Sequence, residues 1–161
     1  MSTVIGIGGI SRSGKTTLAN QLGQLLNAPV LHQDQFNASP LPEINGHVDW
    51  ETPAAVDYPR LITAIQEAGN QSDHVIVEGI LIYASPKLNS LFDKRLVLTL
   101  TENEFKRRKS RDLRWGKEPD WYIHHIWTGF IRYGYPPDGA YIQLDGISLP
   151  GADEVKELLD M

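Results

Sequence analysis

The chain has 161 residues, 41% hydrophobic and 22% charged, so it is long enough to fold as one domain around a sizeable core. The absence of cysteine excludes a disulfide framework and any cysteine-based nucleophile or metal site. No apolar run approaches the length of a membrane span, and the N-terminus enters a predicted strand directly. We therefore expect a cytoplasmic protein with no signal peptide and no membrane partner. The net charge of −5 argues against a general nucleic-acid-binding protein.

A glycine-rich loop follows the first predicted strand. Residues 4–8 form an apolar strand, residues 15–26 have helical spacing, and residues 9–16 between them read Gly-Ile-Ser-Arg-Ser-Gly-Lys-Thr. This is the pattern G-x-x-x-x-G-K-T in the strand–loop–helix context of a P-loop. In such a loop the backbone N–H groups bind phosphate, Lys15 reaches the β- and γ-phosphates, and the Thr16 hydroxyl ligates Mg²⁺. A glycine-rich turn with a chance lysine would not explain the strand and helix on either side. The predicted nucleotide-binding residues here are Gly9, Ser11, Ser13, Gly14, Lys15, Thr16 and Thr17.

A carboxylate follows the second predicted strand, which spans residues 29–32. Asp34 lies just past the C-terminal end of this strand, where ligands bind in open α/β sheets. It is therefore a candidate catalytic residue. A role as a helix or turn cap is an equally good interpretation of an aspartate in this place.

The next stretch is predicted to be a loop followed by a helix. Residues 38–50 have loop composition and include the turn pair Asn45-Gly46. Thr52 as N-cap and Pro53 in the first helical position predict that a helix begins there.

The end of this loop carries an aromatic residue between two acids. Asp49, Trp50 and Glu51 could supply an aromatic face and carboxylates to a small ligand. For Trp50, a hydrophobic staple onto the following helix is equally plausible.

The third predicted strand also ends in an acid. Residues 74–77 are continuously apolar, which is typical of a buried parallel strand, and Glu78 follows them. In P-loop proteins an acid in this place holds Mg²⁺, directly or through water. A structural glutamate that caps a neighbouring loop is the alternative, and the upstream P-loop favours the metal role.

Positive charge is concentrated in one later segment. Seven of the fifteen Lys and Arg residues lie within residues 106–117, on a helix that begins with a capping box at residues 101–104. Arg107, Arg111 and Arg114 are spaced by four and three, so we predict that they share one helical face and bind a polyphosphate. We interpret residues 105–120 as a helical lid. A solvated helix face and an RNA-binding stripe are the alternatives.

The remaining pattern completes an α/β chain. We predict a short helix over residues 85–92, a strand over 95–100, a helix over 120–133, a strand over 141–144 and a helix over 153–159. His124 and His125 are adjacent on a helix and point in different directions, which argues against a metal site. The fold class predicted is α/β, a P-loop NTPase like the nucleoside and nucleotide kinases. It would form a single domain over residues 1–161, with about five parallel strands flanked by helices.

Several segments together are more specific than the P-loop alone. They are His-Gln-Asp-Gln-Phe at 32–36, Asp-Trp-Glu-Thr-Pro at 49–53, Ile-Val-Glu-Gly-Ile-Leu-Ile-Tyr at 76–83, Phe-Lys-Arg-Arg-Lys-Ser-Arg at 105–111 and Leu-Asp-Gly at 144–146. With the P-loop, this set resembles the nicotinamide riboside kinases and, more broadly, the uridine-kinase-like branch of P-loop small-molecule kinases. The resemblance implies ATP-dependent phosphorylation of a ribonucleoside 5′-hydroxyl, with ATP and Mg²⁺ as cofactors. We expect a monomer or weak homodimer with a nucleoside substrate and no nucleic-acid partner.

The resemblance also implies roles for individual residues. Asp34 matches the catalytic base and a possible Mg²⁺ contact, Lys15, Arg107 and Arg111 match catalytic cations, and Thr16 and Glu78 match the metal site. Substrate contacts are implied for Asp34, Gln35, Phe36, Asn37, Trp50, Glu51, Arg108, Leu113 and Arg114. Gly146 and Ser148 match the loop beside the adenine, and Arg107 and Arg111 are shared with ATP.

Three positions depart from the family pattern. Gln35 replaces a second acid, Glu51 stands where Asp is common, and Leu113 replaces a substrate-side aromatic for which Trp115 could substitute. These changes affect base specificity rather than phosphoryl transfer. Nicotinamide riboside carries a cationic ring, which suits Trp50 and the neighbouring acids better than neutral uridine does. A uridine, cytidine or vitamin-precursor kinase and a nucleotide-dependent regulatory or RNA-binding module are the alternatives.

Overall fold

The computed structural model describes residues 1–114 and 116–161. The strands are β1 (Thr3–Gly9), β2 (Val30–His32), β3 (Glu43–Ile44), β4 (His47–Val48), β5 (His74–Glu78), β6 (Lys94–Thr99) and β7 (Ile142–Asp145). The α-helices are α1 (Lys15–Leu26), α2 (Tyr58–Gly69), α3 (Pro86–Asn89), α4 (Glu102–Ser110), α5 (Asp120–Tyr133) and α6 (Ala152–Leu158). Short 3-10 helices lie at Gln33–Gln35 and Pro53–Ala55. No helix within the described ranges is long and apolar enough to cross a membrane.

The central element is a five-stranded parallel sheet with the order β2-β5-β1-β6-β7. Side chains alternate between its two faces, and each face is covered by helices. On one face Ile5 and Ile7 of β1 belong to one apolar cluster with Leu18 and Leu22 of α1 and Val155 of α6. The other core contains Val4, Leu61, Ile65, Val75, Val77, Phe105, Tyr122, Ile126 and Phe130. The predicted fold class is therefore confirmed, and α1 has the predicted bounds.

Helix α2 begins later than predicted. The Thr52 side chain forms no cap hydrogen bond, and Pro53–Ala55 is a 3-10 turn that ends in an extended Val56. The N-cap is Asp57, whose side chain accepts a hydrogen bond from the Arg60 N–H at 3.2 Å. The prediction of a helix from residue 53 is wrong because Asp57 is an effective cap and a second proline follows it in the first turn.

A small hairpin lies in the segment predicted to be a loop. Glu43–Ile44 and His47–Val48 pair antiparallel across Asn45 and Gly46, whose φ angles are 49° and 75°. The turn was predicted from the Asn-Gly pair, but strands of two residues give too short an alternation to be detected. Through this hairpin, His47 lines a cavity at the carboxyl ends of the parallel strands.

Helix α4 starts where the capping box predicted and ends earlier than the arginine spacing required. The Thr101 side chain accepts a hydrogen bond from the Glu104 N–H at 3.2 Å. The helix ends at Ser110, and Asp112 accepts a hydrogen bond from the Arg114 N–H, so a local turn replaces the next helical turn. The prediction that Arg107, Arg111 and Arg114 share one helical face is therefore wrong.

A buried glutamine fixes the segment that carries the candidate catalytic aspartate. Gln33 is 7% exposed, and its Oε1 accepts a hydrogen bond from the Leu81 N–H at 2.9 Å. The Gln33 side chain packs so closely against Gly79 that a Cβ at position 79 would collide with it. Asp34 is the next residue, and it faces the cavity.

Replacing Gln33 by Met should lower the free energy of unfolding by about 1–3 kcal/mol, because it leaves the buried Leu81 N–H without an acceptor. Denaturant unfolding measures the change. Gln35→Met is the matched control in the same 3-10 turn. Its side chain is exposed, so a change within about 0.5 kcal/mol is expected. Equal losses in the two variants would contradict the anchoring role of Gln33.

Candidate functional site

One cavity of about 1060 Å³ collects residues from six segments of the chain. The P-loop contributes Ser11, Arg12, Ser13, Gly14, Lys15, Thr16 and Thr17. The segments after β2 and β5 contribute Gln33, Asp34, Asn37, Glu78 and Gly79, and the hairpin and following loop contribute His47, Trp50 and Glu51. The lid contributes Arg108, Lys109, Arg114, Lys117 and Glu118, and Tyr122 and Gly146 also line the cavity. The cavity therefore lies at the carboxyl ends of parallel strands, where open α/β sheets bind ligands.

The P-loop has the backbone shape that phosphate binding requires. Gly14, directly before α1, has φ = 96°, and Gly9 has φ = 152°, conformations that other residues rarely adopt. The start of α1 opens into the cavity, so its free N–H groups and helix dipole favour an anion there. The Ser13 hydroxyl is buried and has no hydrogen-bond partner within the described residues, which is consistent with a site that a ligand completes.

Lys15 lines the same cavity as three carboxylates. Burial lowers the pKa of its ammonium group, and the charges of Glu78, Asp34 and Glu51 act in the opposite direction. A lysine that has lost hydration and lies in a cavity is well placed to gain from contact with phosphate.

The donor groups around Thr16 fit Mg²⁺ held together with a nucleotide. Glu78 is 4% exposed, and its Oε1 accepts a hydrogen bond from Thr16 Oγ1 at 3.2 Å and lies 2.7 Å from His32 Nδ1. Asp34 lines the same cavity. Within residues 1–114 and 116–161 no group of three or more His, Asp or Glu residues forms a complete metal site. Mg²⁺ in phosphoryl-transfer sites uses one or two protein ligands plus phosphates and water, so this sparse oxygen set suits it.

The loop at residues 49–51 is held by helix α5. The Tyr122 hydroxyl donates to Glu51 Oε2 at 2.5 Å and accepts a hydrogen bond from the Trp50 N–H at 3.1 Å. His125 Nε2 lies 2.8 Å from Asp49 Oδ1. The His47 ring stacks on Tyr122, with 4.0 Å between ring centroids. Because Trp50 is 41% exposed and the α-helix begins only at Tyr58, the staple interpretation of Trp50 is excluded.

Glu51 is an acid with little access to water. It is 8% exposed, and burial raises the pKa of its carboxyl group, while the hydrogen bond from Tyr122 and the charge of His125 oppose the rise. The loop lies directly against α5 at Gly129, where a Cβ would be 3.0 Å from the Glu51 Cβ. The acceptor end of the cavity is therefore a preorganised acidic and aromatic surface.

The lid arginines differ in their contacts. Arg108 donates to the Arg12 carbonyl at 2.9 Å and approaches the Gly146 carbonyl at 3.4–3.5 Å, so it lies beside the P-loop. Arg107 forms two hydrogen bonds to Glu104, and Arg107 and Arg108 together lower the pKa of that carboxyl to about 2. Arg114 lines the cavity while bonded to Asp112 through Nε and Nη2, each at 2.9 Å.

The cavity brings together most of the residues predicted from the sequence. Those that do not line it are Gly9, Gln35, Phe36, Arg107, Arg111, Leu113 and Ser148. The Gln35 carbonyl and the Phe36 ring instead contact Arg60, at 3.2 Å from its Nη2 and 5.1 Å from its Cζ. Trp115 lies outside the described residues. Sequence reasoning missed the roles of His32, His47 and Tyr122 in the site, because their partners are distant in the chain.

Known proteins similar to this chain are kinases, in sequence and in fold. No protein-family model matches the chain. Mouse nicotinamide riboside kinase 2 is 30% identical, with 93% of this chain and 90% of that protein aligned. Human nicotinamide riboside kinase 1 is also 30% identical, over 81% of this chain and 75% of that protein. The shikimate kinase structure from Bacteroides thetaiotaomicron superposes with a TM-score of 0.62 at 18% identity, covering 99% of each chain, which supports the P-loop kinase fold. Because curated relatives align along most of both chains and the P-loop opens onto the predicted acceptor residues, the chain belongs to the nicotinamide riboside kinase family of phosphotransferases.

Proposed function

We propose that the protein transfers the γ-phosphoryl group of ATP to the ribose 5′-hydroxyl of nicotinamide riboside, which yields nicotinamide mononucleotide. The observation that carries this proposal is the single cavity that joins the P-loop to Asp34 and to the Trp50–Glu51 surface. Curated relatives named as nicotinamide riboside kinases support the choice of acceptor.

The donor end stabilises charge on the triphosphate. The P-loop N–H groups and Lys15 would bind the phosphates. Contacts of Arg108 with the Arg12 and Gly146 carbonyls support assigning this arginine to the nucleotide. Mg²⁺, when bound, neutralises the β- and γ-phosphate oxygens, and Thr16, Glu78 and Asp34 are the residues that would hold it. Catalysis at this end is therefore mainly positioning and electrostatic stabilisation.

Asp34 is the residue that orients and deprotonates the attacking hydroxyl. Its carboxylate lines the cavity and is exposed there, with no hydrogen bond to another side chain in the part of the chain that is described. A carboxylate free of such partners can accept a proton from an incoming alcohol. The turn-cap interpretation of Asp34 loses support, because Asp34 lies inside the 3-10 helix Gln33–Gln35, whose N-cap is His32.

The acceptor end favours a cationic ring on a ribose. The half-exposed Trp50 offers an aromatic face, and Glu51 lines the cavity beside it. Asp49, which lies against His125, is the other acid of this loop. Cation–π attraction and these charges stabilise a nicotinamide ring more than a neutral pyrimidine. Glu51 Oε1, opposite the oxygen bonded to Tyr122, is the atom we assign to the ribose hydroxyls.

The RNA-binding alternative fits the arginine contacts less well. Arg107 is paired with Glu104, Arg114 is paired with Asp112, and Arg108 faces the P-loop. Since α4 also ends at Ser110, these three arginines do not form a shared basic face for a phosphate backbone.

A nucleoside panel tests the proposed acceptor. With Mg·ATP, ADP release should be stimulated by nicotinamide riboside with the highest kcat/KM, ahead of uridine and cytidine. Acceptor-free protein gives the background rate. Equal or better kcat/KM with a neutral nucleoside would contradict the proposed acceptor and favour the pyrimidine-kinase alternative.

Asp34→Asn should lower kcat by about 10²- to 10⁴-fold, because the amide cannot accept the proton, while nucleotide affinity stays within about threefold. Steady-state ADP release and calorimetric ATP titration measure the two quantities. Asp153→Asn, on the exposed first turn of α6, is the matched control and should retain wild-type turnover. Near-normal turnover of Asp34→Asn would overturn the base assignment.

Removing the P-loop cation or hydroxyl should impair transfer in different ways. Lys15→Ala should lower kcat/KM by about 10²- to 10³-fold, since one charge-stabilising donor is lost. Thr16→Ala should raise the Mg²⁺ concentration required for half-maximal activity. Lys156→Ala on α6 is the control for the lysine variant. Undiminished transfer in both P-loop variants, or full activity after chelation of Mg²⁺, would contradict the mechanism.

A further inference from the structure

The Glu51 carboxylate, which lines the cavity, has one hydrogen-bond donor among the described side chains. This donor is the Tyr122 hydroxyl, which bonds to Glu51 Oε2 at 2.5 Å. A buried carboxylate requires a strong partner, so loss of the Tyr122 hydroxyl would leave Glu51 Oε2 without its hydrogen bond.

Tyr122 is held rigidly in place. The side chain is 1% exposed, it stacks on His47, and the Trp121 ring meets it edge-on with 5.6 Å between centroids. Its oxygen also accepts the Trp50 N–H, so one hydroxyl binds two consecutive residues of the acceptor loop. The close contact between Gly129 and Glu51 keeps this loop against the helix. The hydroxyl is thus a preorganised anchor for both Trp50 and Glu51.

We propose that Tyr122 is a positioning residue whose hydroxyl keeps Glu51 at the acceptor end of the cavity, so that the enzyme prefers ribose over 2′-deoxyribose. This inference rests on the proposed function, because it requires a nucleoside acceptor whose hydroxyls contact Glu51. With Oε2 occupied by Tyr122, Oε1 remains to accept from the sugar hydroxyls.

The length of Glu51 is part of this arrangement. An aspartate at position 51 is one methylene shorter, so its carboxylate could not reach the Tyr122 hydroxyl from the same backbone position. The effect of removing the hydroxyl should therefore depend on the residue at position 51. A double-mutant cycle between positions 51 and 122 measures this dependence directly.

The test is Tyr122→Phe, which removes only the hydroxyl. The KM for nicotinamide riboside should rise about tenfold with kcat within about twofold, as expected for one lost hydrogen bond to a charged group. The ratio of kcat/KM for nicotinamide riboside to that for its 2′-deoxy analogue should fall about tenfold. Tyr133→Phe makes the same deletion on α5 outside the cavity and should leave both quantities unchanged.

Calorimetric binding of the two nucleosides provides a readout without turnover, and thermal unfolding checks that Tyr122→Phe is folded. In the Glu51→Asp background, Tyr122→Phe should cause no further loss of ribose preference. An unchanged KM and an unchanged ribose preference in Tyr122→Phe, with wild-type activity intact, would overturn this inference alone. A wild-type protein that neither binds nor phosphorylates any nucleoside would overturn the proposed function and this inference together.

If Tyr122→Phe does not fold, the Glu51→Asp variant provides the test. Because the shorter side chain cannot contact the Tyr122 hydroxyl, ribose preference should fall about tenfold in that variant as well. A ribose preference equal to that of wild type would overturn the inference.

Discussion

The site depends on one buried carboxylate that joins the ends of three elements. Glu78 lies at the end of β5, and parallel register pairs it with Ile7 of β1 on one side and His32 of β2 on the other. Its Oε1 meets both His32 Nδ1 and the Thr16 hydroxyl at the start of α1. A buried carboxylate without such partners would be strongly destabilising, so the register of the sheet and the position of the P-loop helix support each other. A shift of β5 by one residue would remove the contacts of Glu78 with His32 and Thr16.

The two ends of the cavity differ in how far apart in the sequence their contacting residues lie. The nucleotide end comes mainly from one continuous strand–loop–helix segment, so its residues and the bounds of α1 could be predicted from local sequence. The acceptor end requires Tyr122 to meet Glu51 across 71 residues. In the sequence, Tyr122 is one aromatic residue on an aromatic-rich helix, and no spacing rule identifies its partner. The acidic loop could be found from its composition, whereas the group that orients it could not.

The two incorrect helix predictions have a common physical cause. In each case a side chain–backbone hydrogen bond places the helix end at a residue that the pattern did not select. Asp57 begins α2 by accepting from the Arg60 N–H, and Asp112 accepts from the Arg114 N–H just after α4 has ended. Spacing rules assume an uninterrupted helix, so the predicted arginine face failed once a local turn competed with it. Arg108 reaches the P-loop because it still lies within the helix.

Three acids line the cavity with Lys15, and they differ in the hydrogen-bond donors that they contact. This difference indicates a different function for each. Glu78 is bonded to Thr16 and lies against His32, and Glu51 is bonded to Tyr122, so each has a hydrogen-bond partner. Asp34 alone of the three has no side-chain partner within the described residues, and it is the most exposed. A bonded carboxylate resists a change of protonation or position, which suits a metal ligand and a sugar-binding group. The unbonded carboxylate is the one able to take a proton from an alcohol, and this asymmetry supports Asp34, rather than Glu78 or Glu51, as the base.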